Sequence, residues 1–150
     1  MATIKEDYVS FEIAKLLKEK GFDSKCSKVW IYSKSINPDI NAQLMCAQYF
    51  MEGESLIDND DIDIVLSVKE VYGNAYLAPT FQMAMKWLRE VHKLYINVCP
   101  CVEGYYWTEK WHSYVENLKK RYPFGRFICT FNSCEQATEA AIKYCLENII

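Results

Sequence analysis

Leu77-Ala-Pro-Thr-Phe-Gln-Met-Ala-Met-Lys-Trp-Leu-Arg-Glu-Val-His-Lys-Leu-Tyr-Ile-Asn-Val98 reads as a helix that runs directly into a strand, and this succession sets the fold class. Pro79 restricts the residue before it, and Thr80 supplies a hydroxyl that can accept from the amides of the first turn. Phe81, Ala84, Met85 and Leu88 follow the helical repeat, with Met83, Trp87 and Val91 widening the apolar arc. An arc this broad predicts a helix packed on more than one side. After His92 the period changes from helical to alternating, so Leu94 to Val98 is expected as a strand.

Downstream, residues 105 to 118 admit two readings. As a strand they turn Tyr105, Trp107, Trp111 and Val115 to the core; as a helix they bury Trp111, Tyr114, Val115, Leu118 and Tyr122. Aromatic enrichment and the Pro123-Phe-Gly125 turn favour the strand, paired as a hairpin with Arg126 to Phe131. In that partner Phe127, Cys129 and Phe131 would point inward. Ser133 and Gln136 form a capping box for a last helix, Cys134 to about Glu147, with Ala137, Ala141, Ile142, Cys145 and Ile149 facing in.

Upstream, Ser10 caps a helix of about Phe11 to Lys20 that Gly21 ends at C′, with Ile13, Leu16 and Leu17 as its buried stripe. Val9 and Ala14 occupy the two positions of a hydrophobic staple. Residues 28 to 36 read as a strand and Asn37-Pro-Asp39 as a turn. Asn41 to Met51 is apolar without clean alternation and fits helix or strand. Glu52 to Asp63 carries six carboxylates and no Lys or Arg, and leads into Asp61 to Val68, where Ile62, Ile64, Leu66 and Val68 share one strand face. No linker or repeat divides the chain. The expectation is a single α+β domain over 1–150, a mostly antiparallel sheet packed against about three helices.

Totals limit the function classes. Hydrophobic residues are 51% of 150 and charged residues 25%, which suits a globular core and argues against disorder. A net charge of -3 provides no overall field for nucleic acid or an anionic membrane. Lys5, Glu6, Asp7, Lys15, Lys18, Glu19 and Lys20 interrupt any signal-peptide core, and no apolar run approaches the roughly 20 residues that span a bilayer. A cytoplasmic, non-membrane protein is expected. Seven Cys at irregular spacing in a reducing compartment read as small buried hydrophobes rather than a disulfide framework.

Three segments, in order, carry a resemblance: Tyr8-Val-Ser-Phe-Glu-Ile-Ala-Lys-Leu-Leu-Lys-Glu-Lys-Gly-Phe-Asp23, Ala78-Pro-Thr-Phe-Gln-Met-Ala-Met-Lys-Trp-Leu-Arg-Glu-Val-His92 and Cys134-Glu-Gln-Ala-Thr-Glu-Ala-Ala-Ile-Lys-Tyr-Cys-Leu-Glu-Asn148. Together they cover about a third of the chain. They resemble a family of short uncharacterised proteins carried by gut bacteria, their phages and mobile elements. The resemblance implies a helix, a variable β region, a second helix, a β-hairpin and a C-terminal helix. It implies no activity, because the shared residues are caps and core. The chain departs from that pattern in a longer, partly acidic stretch at about 24–77.

Candidate sites are few. Cys99-Pro-Cys101 with Cys129, Cys134, His92 and His112 supplies zinc-ligand types, but a Cys-x-Cys pair is too short for a standard knuckle, so no metal or cofactor is expected. A nucleophilic pair of Cys99 with His92 or His112 has the right residue types and no local activating group. His92 ends a helix, where an imidazolium caps the dipole favourably. Counting from Asp58, the calcium-loop positions that require Gly and Glu hold Asp63 and Lys69. Asp58, Asp60, Asp61 and Asp63 remain as an acidic surface for a protein partner. Lys110, Lys119, Lys120 and Arg121, interleaved with Tyr105, Tyr106, Trp107, Trp111, Tyr114 and Tyr122, are the alternative, a face for nucleic acid. Nucleic acid is disfavoured by the acidic total. The leading expectation is a non-enzymatic accessory protein that binds a protein partner, with an enzyme using His and Cys as a further alternative. A homo-oligomer would also employ the surplus aromatic surface.

Overall fold

The structure is a computed structural model, and it describes residues 6–32, 42–46, 75–103, 106–119 and 126–150. The chain is α+β, as expected. The described strands form two antiparallel sheets of three strands each, in keeping with the expected mostly antiparallel pairing. The contacts divide the chain into two compact units, Tyr8–Pro79 and a second holding Met1–Asp7 with Thr80–Ile150.

In the Tyr8–Pro79 unit, helix α1 spans Phe11–Glu19 and the strands are β1 (Lys28–Tyr32), β2 (Ala42–Cys46) and β3 (Ala75–Leu77), in the order β2-β1-β3. The Ser10 hydroxyl accepts from the Ile13 amide at 3.4 Å. The helix ends in a Schellman motif: Phe22 N–H reaches Leu17 O at 2.9 Å and Gly21 N–H reaches Lys18 O at 3.2 Å. That geometry needs the left-handed φ of +83° at Gly21. Val9, Ile13, Ala14, Leu17, Phe22 and Val29 are buried, staple pair included. The Phe11 ring stands edge-on to Trp30 and Tyr76, and Lys18 lies over the Tyr76 ring. Trp30 Nε1 donates to Val9 O at 2.8 Å. β2 resolves the undecided 41–51 stretch in favour of a strand over Ala42–Cys46. β3 has only three residues, too few to show alternation, and it is absent from the sequence expectation. The proposed continuation of β1 to residue 36, the Asn37 turn, the acidic tract and the strand at 61–68 lie outside the described residues.

In the second unit, α2 spans Phe81–Val91 and α3 Cys134–Asn148, with β4 (Leu94–Glu103), β5 (Tyr106–Asn117) and β6 (Arg126–Phe131) in the order β4-β5-β6. Thr80 caps α2 through Met83 N–H at 3.3 Å, and Phe81 N–H donates to Asp7 O at 3.0 Å. Ser133 caps α3 through Gln136 N–H at 3.1 Å, while Gln136 Oε1 accepts from the Asn132 amide, one residue ahead of the capping-box position. α3 packs across all three strands, and α2 packs on β4 and α3. The core holds Ala84, Trp87, Leu88, Leu94, Val115, Ala137, Ala141, Ile142, Cys145 and Leu146.

Several expectations change here. The strand reading of 105–118 is correct, and the preceding strand runs beyond Val98 to Glu103, so β4 and β5 make a second hairpin. Val91 and Ile149 are exposed, not core: each ends its helix, past the last turn that packs on neighbours. The α2 arc fully buries Ala84, Trp87 and Leu88 only, narrower than its composition suggests. In β6 a register shift places Ile128 opposite buried Ser113, so the expected single inward face of that strand does not hold along its length.

Candidate functional site

Alternation along β4 sorts its side chains onto two faces. Leu94 is buried, and Ile96 and Val98 share its face; their partners Val115 and Ser113 are buried too, so this face carries the helices. Tyr95, Asn97 and Cys99 lie on the opposite face, across from Glu116, Tyr114 and His112. From Leu94↔Asn117 to Pro100↔Trp111 the pairing is regular. It then slips: Val102 pairs with Trp107, so Cys101 of β4 faces Thr108, Glu109 and Lys110 of β5. Bulges of this kind re-aim side chains. Thr108 Oγ1 pins this one, donating to Cys101 O at 3.2 Å and accepting from Lys110 N–H at 3.2 Å.

The consequence is a thiol–imidazole contact. Cys101 Sγ lies 3.4 Å from His112 Nδ1, and both residues are half-buried. His112 stands opposite Cys99 in the ladder, the pairing considered from sequence, yet Cys99 Sγ instead donates to Asn97 Oδ1 at 3.3 Å. A thiol beside an imidazole nitrogen supplies the two residue types of a nucleophile–base pair. The other described thiols are held differently. Cys26 and Cys145 are buried, and burial pushes both up to about 12. Burial also raises Cys134, and the carboxylates of Glu135 and Asp7 add to the rise while a hydrogen bond with Thr138 opposes it. Cys134 therefore stays protonated despite its place in the first turn of α3.

The remaining candidates separate. His92 is the C-cap of α2, its backbone N–H on Leu88 O and its ring 4.5 Å edge-on from the Trp87 ring, with the regular part of β4 between it and Cys99. Among the described residues no group of three or more His, Cys, Asp or Glu side chains is arranged to hold a metal ion. Lys110 donates to Asn132 Oδ1, and Lys119 lies beyond the far end of β5, on the order of 20 Å along the strand. The structure thus does not bring these two lysines together, while Trp111 and Tyr114 are half-buried. Lys120, Arg121 and Asp58, Asp60, Asp61 and Asp63 lie outside the described residues.

Two features were not found from sequence. One is a cleft of about 350 Å³ at the N-terminal ends of α2 and α3, lined by Glu6, Asp7, Phe81, Met85, Cys134 and Glu135 among others. Its carboxylates offset the positive ends of two helices, leaving no strong preference for either sign of ligand. The other is an apolar corner. Leu118 N–H donates to Lys93 O at 2.8 Å, and Val91 and Tyr95 each lie two residues from Lys93. Val91 is 55% exposed, Leu118 50% and Tyr95 40%. Both features depend on which segments meet in space, which no local sequence pattern encodes.

Comparison with protein-family models, curated proteins and solved structures finds no match to this chain. Among the described residues no helix is long and apolar enough to cross a membrane.

Proposed function

We propose that the chain is a non-enzymatic accessory protein of phage or mobile-element type that binds a protein partner in the cytosol. One observation carries this reading: Val91, Tyr95 and Leu118, three large apolar side chains, are exposed within two residues of the Lys93–Leu118 backbone hydrogen bond, with Tyr95 on the sheet face opposite the helices. Exposed apolar area of this kind is what a protein partner would cover. α2 ends, β4 begins and β5 ends at this corner. The phage or mobile-element origin rests on the resemblance to proteins of gut bacteria and their mobile elements.

The test is capture from the organism that encodes the chain, comparing wild type with the double variant V91D/L118D. A protein retained by wild type and released by the variant supports the reading. Equal retention by both, or by neither, refutes it. Light scattering on the same two proteins decides whether the partner is a second copy, since a dimer mass that falls to a monomer in V91D/L118D assigns the corner to self-association.

A further inference from the structure

We propose that Cys101 is a nucleophilic thiol, with His112 as its proton acceptor, and that it forms a mixed disulfide with low-molecular-weight disulfides. The geometry argues this at three points. Cys101 Sγ and His112 Nδ1 are 3.4 Å apart, within reach for proton transfer. The bulge removes Cys101 from the regular ladder, and Thr108 holds its carbonyl by a hydrogen bond. Cys101 is also only half-buried, so an incoming disulfide can approach the sulfur.

Cys99 provides the internal contrast. It belongs to the same strand and is likewise half-buried, but its thiol is directed along the strand to Asn97. Cys26 and Cys145 are closed off by the two cores, and Cys134 is held protonated by burial and neighbouring carboxylates.

The reaction balances without a further reagent. The Cys101 proton passes to His112 Nδ1, and the thiolate attacks one sulfur of R–S–S–R. The R–S–S–R bond breaks as the Cys101 Sγ–S–R bond forms, and the departing thiolate takes the proton back from the imidazolium. The net change is one protein thiol and one disulfide to one mixed disulfide and one small thiol. Addition of R at this bulge places a bulky polar group on the sheet face opposite the helices, which makes the site a redox-dependent modification point.

The experiment is time-resolved mass mapping of the full-length protein treated with glutathione disulfide, and in parallel with iodoacetamide. The first adduct is expected on Cys101, and H112Q is expected to slow it about tenfold or more at pH 7. In C101S the fast phase is expected to vanish. In guanidinium chloride the preference for Cys101 should disappear. A first adduct on any other cysteine, or an unchanged rate in a folded H112Q, overturns the proposal. If H112Q proves unfolded by circular dichroism, wild type decides alone. Cys101 outpacing Cys99 about tenfold in the native state, and not in denaturant, then supports the assignment, and equal rates overturn it.

Discussion

The two ends of the β4–β5 hairpin are built from the same pair of strands and behave as different materials. At the Leu94 end the ladder is regular, inward positions hold Leu94 and Val115 at almost no exposure, and α3 lies across the sheet. At the Cys101 end the register slips, Val102 is 51% exposed, and a hydroxyl rather than a core holds the backbone. Regular pairing places apolar groups where they stabilise. Interrupted pairing releases polar and nucleophilic groups from that duty, and this is where the thiol–imidazole contact is found.

The largest expected effect tests the regular end. Leu94→Ala empties a fully buried position and should cost about 2–5 kcal/mol in chemical denaturation. Val102→Ala, eight residues along the same strand, should change stability by less than about 0.5 kcal/mol. Comparable losses from both would erase the contrast.

The next effect depends on pH and belongs to the core over the regular ladder. Cys145 is buried in α3, and its thiol is raised from 9.0 to about 12 in the folded state. Between those values the unfolded chain has released the proton and the folded chain retains it. Stability from this group is therefore complete below pH 9 and lost as pH rises toward 12. Cys26 contributes with the same sign in the other unit. Cys145→Ala should flatten the decline of stability between pH 9 and 12, measured by urea unfolding at several pH values. An unchanged slope would place the thiol in water.

Ser113 lies at the seam where the pairing with β6 shifts, and its Oγ is buried without a hydrogen-bond partner among the described residues. Ser113→Ala removes an unsatisfied hydroxyl at little cost in volume, so a gain of about 1 kcal/mol is expected, read as a higher denaturation midpoint with unchanged m-value. A loss would mean that the hydroxyl is satisfied in solution.

These cases show what the sequence made legible and what it did not. The three helix starts were readable because a capping hydroxyl acts on amides two or three residues away, and Ser10, Thr80 and Ser133 all do so. The strand at 106–117 was readable by its aromatic content and following turn signal. The sheet partners of β1 were not, because β3 is short and reaches β1 across a long sequence separation. The pairing of His112 with Cys99 was within reach of a register argument, but the actual contact with Cys101 depends on a slip of the ladder that no spacing rule anticipates.

Entry to the regular end supplies a further effect of about the same size. α2 closes as α1 does, with a left-handed residue after the cap, but here the residue is Lys93 at φ 60°, not glycine. A side chain costs about 1 kcal/mol in that conformation. Lys93 recovers part of it by donating to Glu90 O at 2.7 Å, next to the negative end of the helix. Lys93→Gly should therefore stabilise by somewhat less than about 1 kcal/mol, and Gly21→Lys should destabilise α1 by a similar amount, both by thermal denaturation.

The smallest expected effect sharpens the comparison most, because it separates order from stability. Thr108→Val keeps the shape of the side chain and removes its donation to Cys101 O and its acceptance from Lys110 N–H. Two hydrogen bonds at an exposed bulge are worth about 0.5–1 kcal/mol together, since water replaces most of what is lost. Global stability should hardly move. Hydrogen exchange at the Lys110 amide should speed up markedly, while amides paired between Leu94 and Val98 keep their protection. If protection fell along the whole hairpin, the two ends would be one cooperative unit, and the bulge would be part of the scaffold instead of a local departure from it.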